Sequence, residues 1–316
     1  MTLAILCPGQ GGQHRDMFAL TGNAPEAAYL FTHAAMLLGG RDPRDFVRHE
    51  PDEALHRNRA GQILCTLQPL AAACALADVI SRGVIIAGYS VGEVAAWGVG
   101  GVFDATATLD LVARRAEAMD AATRAGDGLI FVRGPSPDEV GRLCERHGAA
   151  IAIVNPGDAF VIGGGREALS GIAADARALH GARIVALPVE VASHTKRLAA
   201  ASAGFRETLR LVPAVFPPRT GARILSGIDA APVVSRAVWT NLPRRSRKPC
   251  NGRIACKPAS KRARRGFSSW GRDMRSAEWL RRSSPGFRLA RWTISEVFWA
   301  SAPGLPVTSA PSAGKF

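Results

Sequence analysis

Residues 88–92 read Gly-Tyr-Ser-Val-Gly, with the apolar run "VIIA" just before them and a run of helix formers, "EVAAW", just after. G-x-S-x-G between a strand and a helix has the form of a nucleophile elbow. The flanking glycines clear room for a strained turn that lifts the Ser90 hydroxyl above the sheet, and the N–H of Val91 then faces the oxygen of an attacked carbonyl. The residues alone leave a second reading open, a tight turn carrying an incidental serine. The strand before and the helix after favour the nucleophile.

A serine nucleophile needs a base, and seven histidines are available. His14, His33, His49 and His56 lie in polar or helical segments. His147 and His180 precede glycines at helix ends, where a cation suits the helix dipole. His194 follows "VALPVEVAS" at the exit of a strand, where the chain can turn back towards the elbow. Arg115, beside Arg114 in "LVARRAEAM", reads from the residues alone as a solvated charge on a helix face.

The elements that must carry these residues follow from the hydrophobic pattern. "LAILCPGQ" is expected to be a short buried strand ending in a Pro-Gly turn, "GVIIAGYS" a strand running into the Ser90 turn. Residues 61–82 and 105–123 have apolar residues at helical spacing. Strands alternating with helices imply an α/β fold with a mostly parallel sheet. From Gly126 the rhythm changes to strand (128–134), helix (136–148), strand (149–155), strand (158–164), helix (166–181) and strand (182–190). That β-α-β-β-α-β order is the ferredoxin-like unit. A small insert over 126–190 is therefore expected within a larger α/β domain made of 1–125 and 191–234.

Composition narrows the function classes. The 316 residues, 47% of them hydrophobic, suffice for a sizeable core. "MTLAILCPGQ" has no basic leader, so no signal peptide is expected, and the most apolar window, 84–103, is broken by Glu93 and glycines. Cys7, Cys65, Cys74, Cys144, Cys250 and Cys256 form no CxxC pair and no Cys/His ligand spacing; neither a disulfide framework nor a metal site is expected, and a cytoplasmic location is. Gly9, Gly11 and Gly12 lack the Lys-Ser/Thr or G-x-G-x-x-G context of a phosphate loop.

Five stretches carry a resemblance. "CPGQGGQ" (7–13), "GYSVGE" (88–93), "LVARRAEAM" (111–119), "NPGDAFVIGG" (155–164) and "EVASHT" (190–195) are similar, in order and spacing, to the malonyl-CoA:acyl-carrier-protein transacylase family, over about residues 1–234. The resemblance implies a hydrolase-like parallel-sheet domain with a ferredoxin-like insert, and ping-pong malonyl transfer from the coenzyme A thioester to the phosphopantetheine thiol of acyl carrier protein. On that reading Ser90 attacks the thioester, His194 takes its proton, and the N–H groups of Gln10 and Val91 hold the oxyanion. Arg115 pairs with the free carboxylate of malonate, and Gln62 and Asn155 line the pocket. A planar two-pronged donor suits that carboxylate. No cofactor, metal, nucleic acid or membrane is expected, and the protein is expected to be a monomer.

The chain departs from the family at Tyr89, where histidine is usual, and "VASH" resembles the methylmalonyl-type motif of modular synthases about as much as it does standalone enzymes, which leaves malonyl or methylmalonyl as the donor group open. The malonyltransferase component of a malonate decarboxylase system uses the same site and stands as an alternative.

The net charge of +14 is concentrated at one end: residues 235–316 hold 18 Lys+Arg against 3 Asp+Glu and five of the six tryptophans. The family's C-terminal glutamine and "LGPG" turn are not visible there. Read two bases later with synonymous codons chosen freely, 238–257 can encode "LDKLAAQISQTVQWADCLQ" and 267–280 "LELGPGHALSGMA". A shifted reading frame therefore explains the tail, which would leave a catalytically dead product. The competing reading is a basic binding arm built on "RRSRK" and "KRARR".

Overall fold

A computed structural model describes residues 4–78, 80, 83–179, 181–219, 221–227, 231–235 and 250–251. The chain opens with β1 (Ala4–Cys7), α1 (Ala28–Leu37), α2 (Pro43–His49), α3 (Asp52–His56) and α4 (Asn58–Ala75). β2 (Ile85–Gly88), α5 (Gly92–Val99) and α6 (Ala105–Ala122) follow. Next come β3 (Asp127–Arg133), α7 (Pro137–His147), β4 (Ala150–Asn155), β5 (Ala159–Gly165), α8 (Arg166–Arg177) and β6 (Arg183–Ala186). The described elements end with α9 (Ala199–Leu211), β7 (Arg223–Leu225) and β8 (Cys250–Asn251).

The architecture is α/β with two sheets. One holds three parallel strands in the order β1-β2-β7, with Cys7 opposite Gly88 and Ile86 opposite Ile224. The other is mixed, in the order β6-β3-β5-β4-β8: β3 runs antiparallel to β5 and β6, β4 antiparallel to β5, and β8 parallel to β4. Around the parallel sheet sits the larger core. α5 is buried along its length with Trp97 at its centre, and α4 and α6 pack against it and each other. A second cluster, with Val132, Val140, Phe160 and Ile172, seals α7 and α8 onto the mixed sheet.

Local chemistry fixes the helix ends that matter. Asp104 starts α6 by accepting from the N–H groups of Thr106 (2.8 Å) and Ala107 (3.3 Å), which sets the phase that places Arg115. α7 opens with a reciprocal Ser136–Glu139 capping box and Pro137, and closes on Gly148 at φ 71°.

Two spans differ from the sequence reading. The helix expected over 61–82 is α4, Asn58–Ala75. The strand expected over 182–190 ends at Ala186: Leu187 still donates to the Leu129 carbonyl at 3.0 Å, but Pro188 has no N–H to extend the ladder. Among the described residues Cys7, Cys65, Cys74 and Cys144 are free thiols, no cluster of three His, Cys, Asp or Glu is placed to hold a metal ion, and no helix is long and apolar enough to cross a membrane. His180, Cys256 and almost all of the tail, with its shifted-frame and basic-arm readings, lie outside the described residues.

Candidate active site

Ser90 occupies the turn between β2 and α5 at φ 56°, a conformation rare for a side chain larger than hydrogen. Backbone bonds lock the turn: Tyr89 N–H donates to the Cys7 carbonyl (3.0 Å), Gly92 N–H to Tyr89 (2.9 Å) and Glu93 N–H to Ser90 (3.0 Å). The glycines are a steric necessity. A Cβ at Gly88 would lie 2.0 Å from the Gly92 carbonyl oxygen, and one at Gly92 would lie 2.2 Å from that of Cys7.

His194 comes to this turn from the far side of the chain. Its Nε2 stands 2.9 Å from Ser90 Oγ. The loop that carries it is tight: Ser193 N–H donates to the Val191 carbonyl at 2.8 Å, Thr195 Oγ1 to that of Ala192 at 2.7 Å, and His194 itself sits at φ 60°. Three residues on, Arg197 Nη1 donates to Oδ1 of Asp127 at 2.8 Å, and that carboxylate is almost wholly buried at the start of β3. The ion pair ties the strand leaving the elbow lobe to the loop returning to it.

Burial pushes His194 down to about 4, with the positive charge of Arg115 acting in the same direction. At neutral pH its imidazole is therefore unprotonated, the state in which it can accept a hydroxyl proton. Burial also lowers Arg115, to about 10, against the opposing pull of Glu93, so the guanidinium keeps its charge. Cys7, next to the elbow, is pushed up to about 12 by burial and stays a thiol. It offers no competing nucleophile.

The remaining candidates fall into two groups. Arg115 Nη1 donates to Oε1 of the fully buried Gln62 at 2.5 Å. Asn155, at the end of β4, joins Tyr89 instead, accepting from its hydroxyl at 3.3 Å. Tyr89 packs its ring with Leu129, Ile153 and Val161 of the mixed sheet. Gln10 lines the cleft beside Tyr89 and Ser90, and Leu187 and Val189 form part of the opposite wall. Val91 is buried at the start of α5. In the glycine loop, Gly11 N–H is taken by Gln13 Oε1 at 2.6 Å, so the loop binds its own side chain.

Two other histidines are paired across helices: His33 meets Asp110 and His147 meets Asp175, each at 2.8–2.9 Å. For His147 that pairing across two helices was not legible in its helix-end position. Sequence reasoning also passed over Asn58 and Asp120, which stand behind Gln62. The available signal was spacing, since Asn58 lies one helical turn before Gln62.

An elbow serine paired with a neutral histidine, on an α/β scaffold with a charged arginine close by, is the equipment of an acyl-transfer enzyme. Relatives make the class specific. The chain is 32% identical over 241 residues to the malonyl CoA-acyl carrier protein transacylase of Mycobacterium bovis, covering 74% of this chain and 77% of that protein. It superposes on the crystal structure of the Mycobacterium tuberculosis MCAT with a TM-score of 0.71 at 26% identity, over 97% and 95% of the two chains. A malonyl-transacylase solved in complex with a type II polyketide acyl-carrier protein shares the fold, with a TM-score of 0.73 at 22% identity over 86% of each chain. No protein-family model matches the chain. The chain belongs to the malonyl-CoA:acyl-carrier-protein transacylase family.

Proposed function

We propose that this protein transfers a malonyl group from malonyl-CoA to the phosphopantetheine thiol of acyl carrier protein through a seryl ester. The observation that carries the reading is the 2.9 Å contact between His194 Nε2 and Ser90 Oγ at a strained elbow. Ser90 Oγ attacks the thioester carbonyl as its proton passes to His194. A C–O bond forms, the C–S bond breaks, and His194 returns the proton to the departing coenzyme A sulfur. The carrier-protein thiol then gives its proton to His194, attacks the ester, and Ser90 recovers the proton as it leaves.

In this scheme the backbone N–H groups of Gln10 and Val91 stabilise the oxyanion, and the start of α5 adds its dipole. Arg115, steadied by Gln62, takes the free carboxylate of malonate, with Asn155 and Tyr89 shaping the cleft. We read the elements around β1, β2 and β7 as a hydrolase-like domain of residues 1–125 and 191–234. We read 126–190 as a ferredoxin-like insert, which the neighbour order β6-β3-β5-β4 supports. A cytoplasmic setting suits the free thiols.

The test is to incubate the protein with malonyl-CoA and holo acyl carrier protein and to follow malonylated carrier by mass. Transfer that is lost in Ser90→Ala supports the reading. Transfer equal in the two proteins contradicts it.

A further inference from the structure

Behind Arg115 runs a chain of side-chain hydrogen bonds whose direction is fixed at both ends. Arg115 Nη1 donates to Gln62 Oε1 (2.5 Å), Gln62 Nε2 donates to Asn58 Oδ1 (2.7 Å), and Asn58 Nδ2 donates to Asp120 Oδ1 (2.7 Å). Asn58 Nδ2 also reaches the Ala116 carbonyl at 3.2 Å, and Gln62 Nε2 the Met119 sulfur at 3.3 Å. A guanidinium can only donate and an ionised carboxylate can only accept, while each amide has one donating and one accepting end. With Asp120 at one end, Asn58 must turn its oxygen to Gln62. Gln62 must then turn its oxygen to Arg115. Reversing either amide would set donor against donor at Arg115 or acceptor against acceptor at Asp120.

The same asparagine reaches the other half of the site. Its backbone carbonyl accepts from the side-chain Nε2 of Gln10 at 3.3 Å, in the loop where Gly11 and Gln13 are bonded to each other and Gln13 Nε2 holds the Leu55 carbonyl at 3.1 Å. Asn58 thus joins the Gln10 loop to the first turn of α4, the helix that bears Gln62.

We propose that Asn58 and Asp120 are positioning residues for donor selectivity: the one-way relay Asp120–Asn58–Gln62–Arg115 holds the arginine to receive the carboxylate of the acyl donor. The proposal rests on the reading of Arg115 given above. Asp120 lies at the solvent-exposed end of the relay and Asn58 is half-buried.

The test compares Ser90 acylation by malonyl-CoA and by acetyl-CoA in wild type, Asn58→Ala, Asp120→Asn, Arg115→Ala and the Asn58→Ala/Arg115→Ala double variant. Asp120→Asn keeps the shape and removes the negative charge that ends the relay, leaving Arg115 alone to set its direction. Acylation by malonyl-CoA should fall about 10- to 100-fold in Asn58→Ala, the range for weakening a hydrogen bond to a charged group. Acylation by acetyl-CoA should change little. In the Arg115→Ala background the Asn58 change should add almost nothing, because coupled residues are not additive. Equal losses for both donors, or full additivity in the double variant, would overturn the relay. A wild type that does not favour malonyl-CoA would overturn the role of Arg115 itself, an outcome read before any relay variant is compared.

Discussion

Ser90 and His194 are separated by 104 positions in the chain and by 2.9 Å between Oγ and Nε2, and both hold positive φ, 56° and 60°. Two strained residues meeting at one contact mark a place where the fold spends stability on geometry. Each strain is held by its own surroundings, the glycine-lined turn on one side and the Val191–Thr195 loop on the other.

On the proposed mechanism, replacing His194 with alanine removes the proton acceptor and leaves the serine in place. Acylation by malonyl-CoA should slow by roughly 10²- to 10⁴-fold, the usual contribution of a positioned base. Stopped-flow release of coenzyme A measures it. An unchanged rate would mean that another group takes the proton.

The pH profile has a defined sign. His194 is lowered from 6.5 to about 4, by burial first and by Arg115 second, and its neutral form is the base of the proposed mechanism. Acylation kcat/KM should rise with pH through about 4 and stay level to neutrality. Between about 4 and 6.5 the folded chain binds fewer protons at this site than the unfolded chain, so this contribution to stability is complete above 6.5 and is lost as pH falls through that window. Arg115→Ala removes the second cause, so the acid limb should move upward. A wild-type limb near 6.5 would contradict the neutral imidazole.

If Arg115 takes the malonate carboxylate as proposed, Arg115→Ala should weaken the use of malonyl-CoA by about 3–5 kcal/mol, since that carboxylate would be desolvated without its partner. Acetyl-CoA has no such carboxylate and should lose little. The ratio of kcat/KM values for the two donors reads this directly. Equal losses would assign Arg115 to the fold.

Much of this site was legible in the sequence, and for identifiable reasons. The elbow is a local motif: Gly88, Ser90 and Gly92 act through contacts within a few residues and the Cys7–Pro8 backbone, so their spacing carries the information. Arg115 was not legible from its surroundings. Its neighbour Arg114 is exposed and made the pair look like a solvated face, and only the resemblance singled it out. The Asp127–Arg197 pair and the relay through Asn58 depend on elements brought together by the fold, at separations of 70 and 62 residues, where no periodicity reports. β6 was read too long because Pro188 was weighed less than the apolar run around it.

Gly92→Ala tests the elbow's backbone. The added Cβ would lie 2.2 Å from the Cys7 carbonyl oxygen and 2.5 Å from that of Pro8, so backbone must shift. Overpacking of this severity should cost about 3 kcal/mol or more. Thermal unfolding and acylation should both suffer, and an unaltered Tm would show that the turn is looser than described.

Tyr89→Phe keeps the ring among Leu129, Ile153 and Val161 and deletes only the hydroxyl that reaches Asn155. A loss of about 0.5–1.5 kcal/mol in denaturant unfolding is expected for one buried hydrogen bond. Tyr89→Ala, which also empties the ring's space, should cost about 3–5 kcal/mol. Equal effects of the two changes would show that the hydroxyl, not the packing, holds the mixed sheet against the elbow.

The central claim is that Ser90 carries the acyl group between donor and acceptor. Malonyl-CoA mixed with the protein in the absence of carrier protein, quenched in acid and digested, should yield one modified peptide, the one containing Ser90, bearing a single malonyl ester that holo acyl carrier protein removes in a chase. Malonyl found on another residue, or carrier protein malonylated at full rate by Ser90→Ala, would contradict the account.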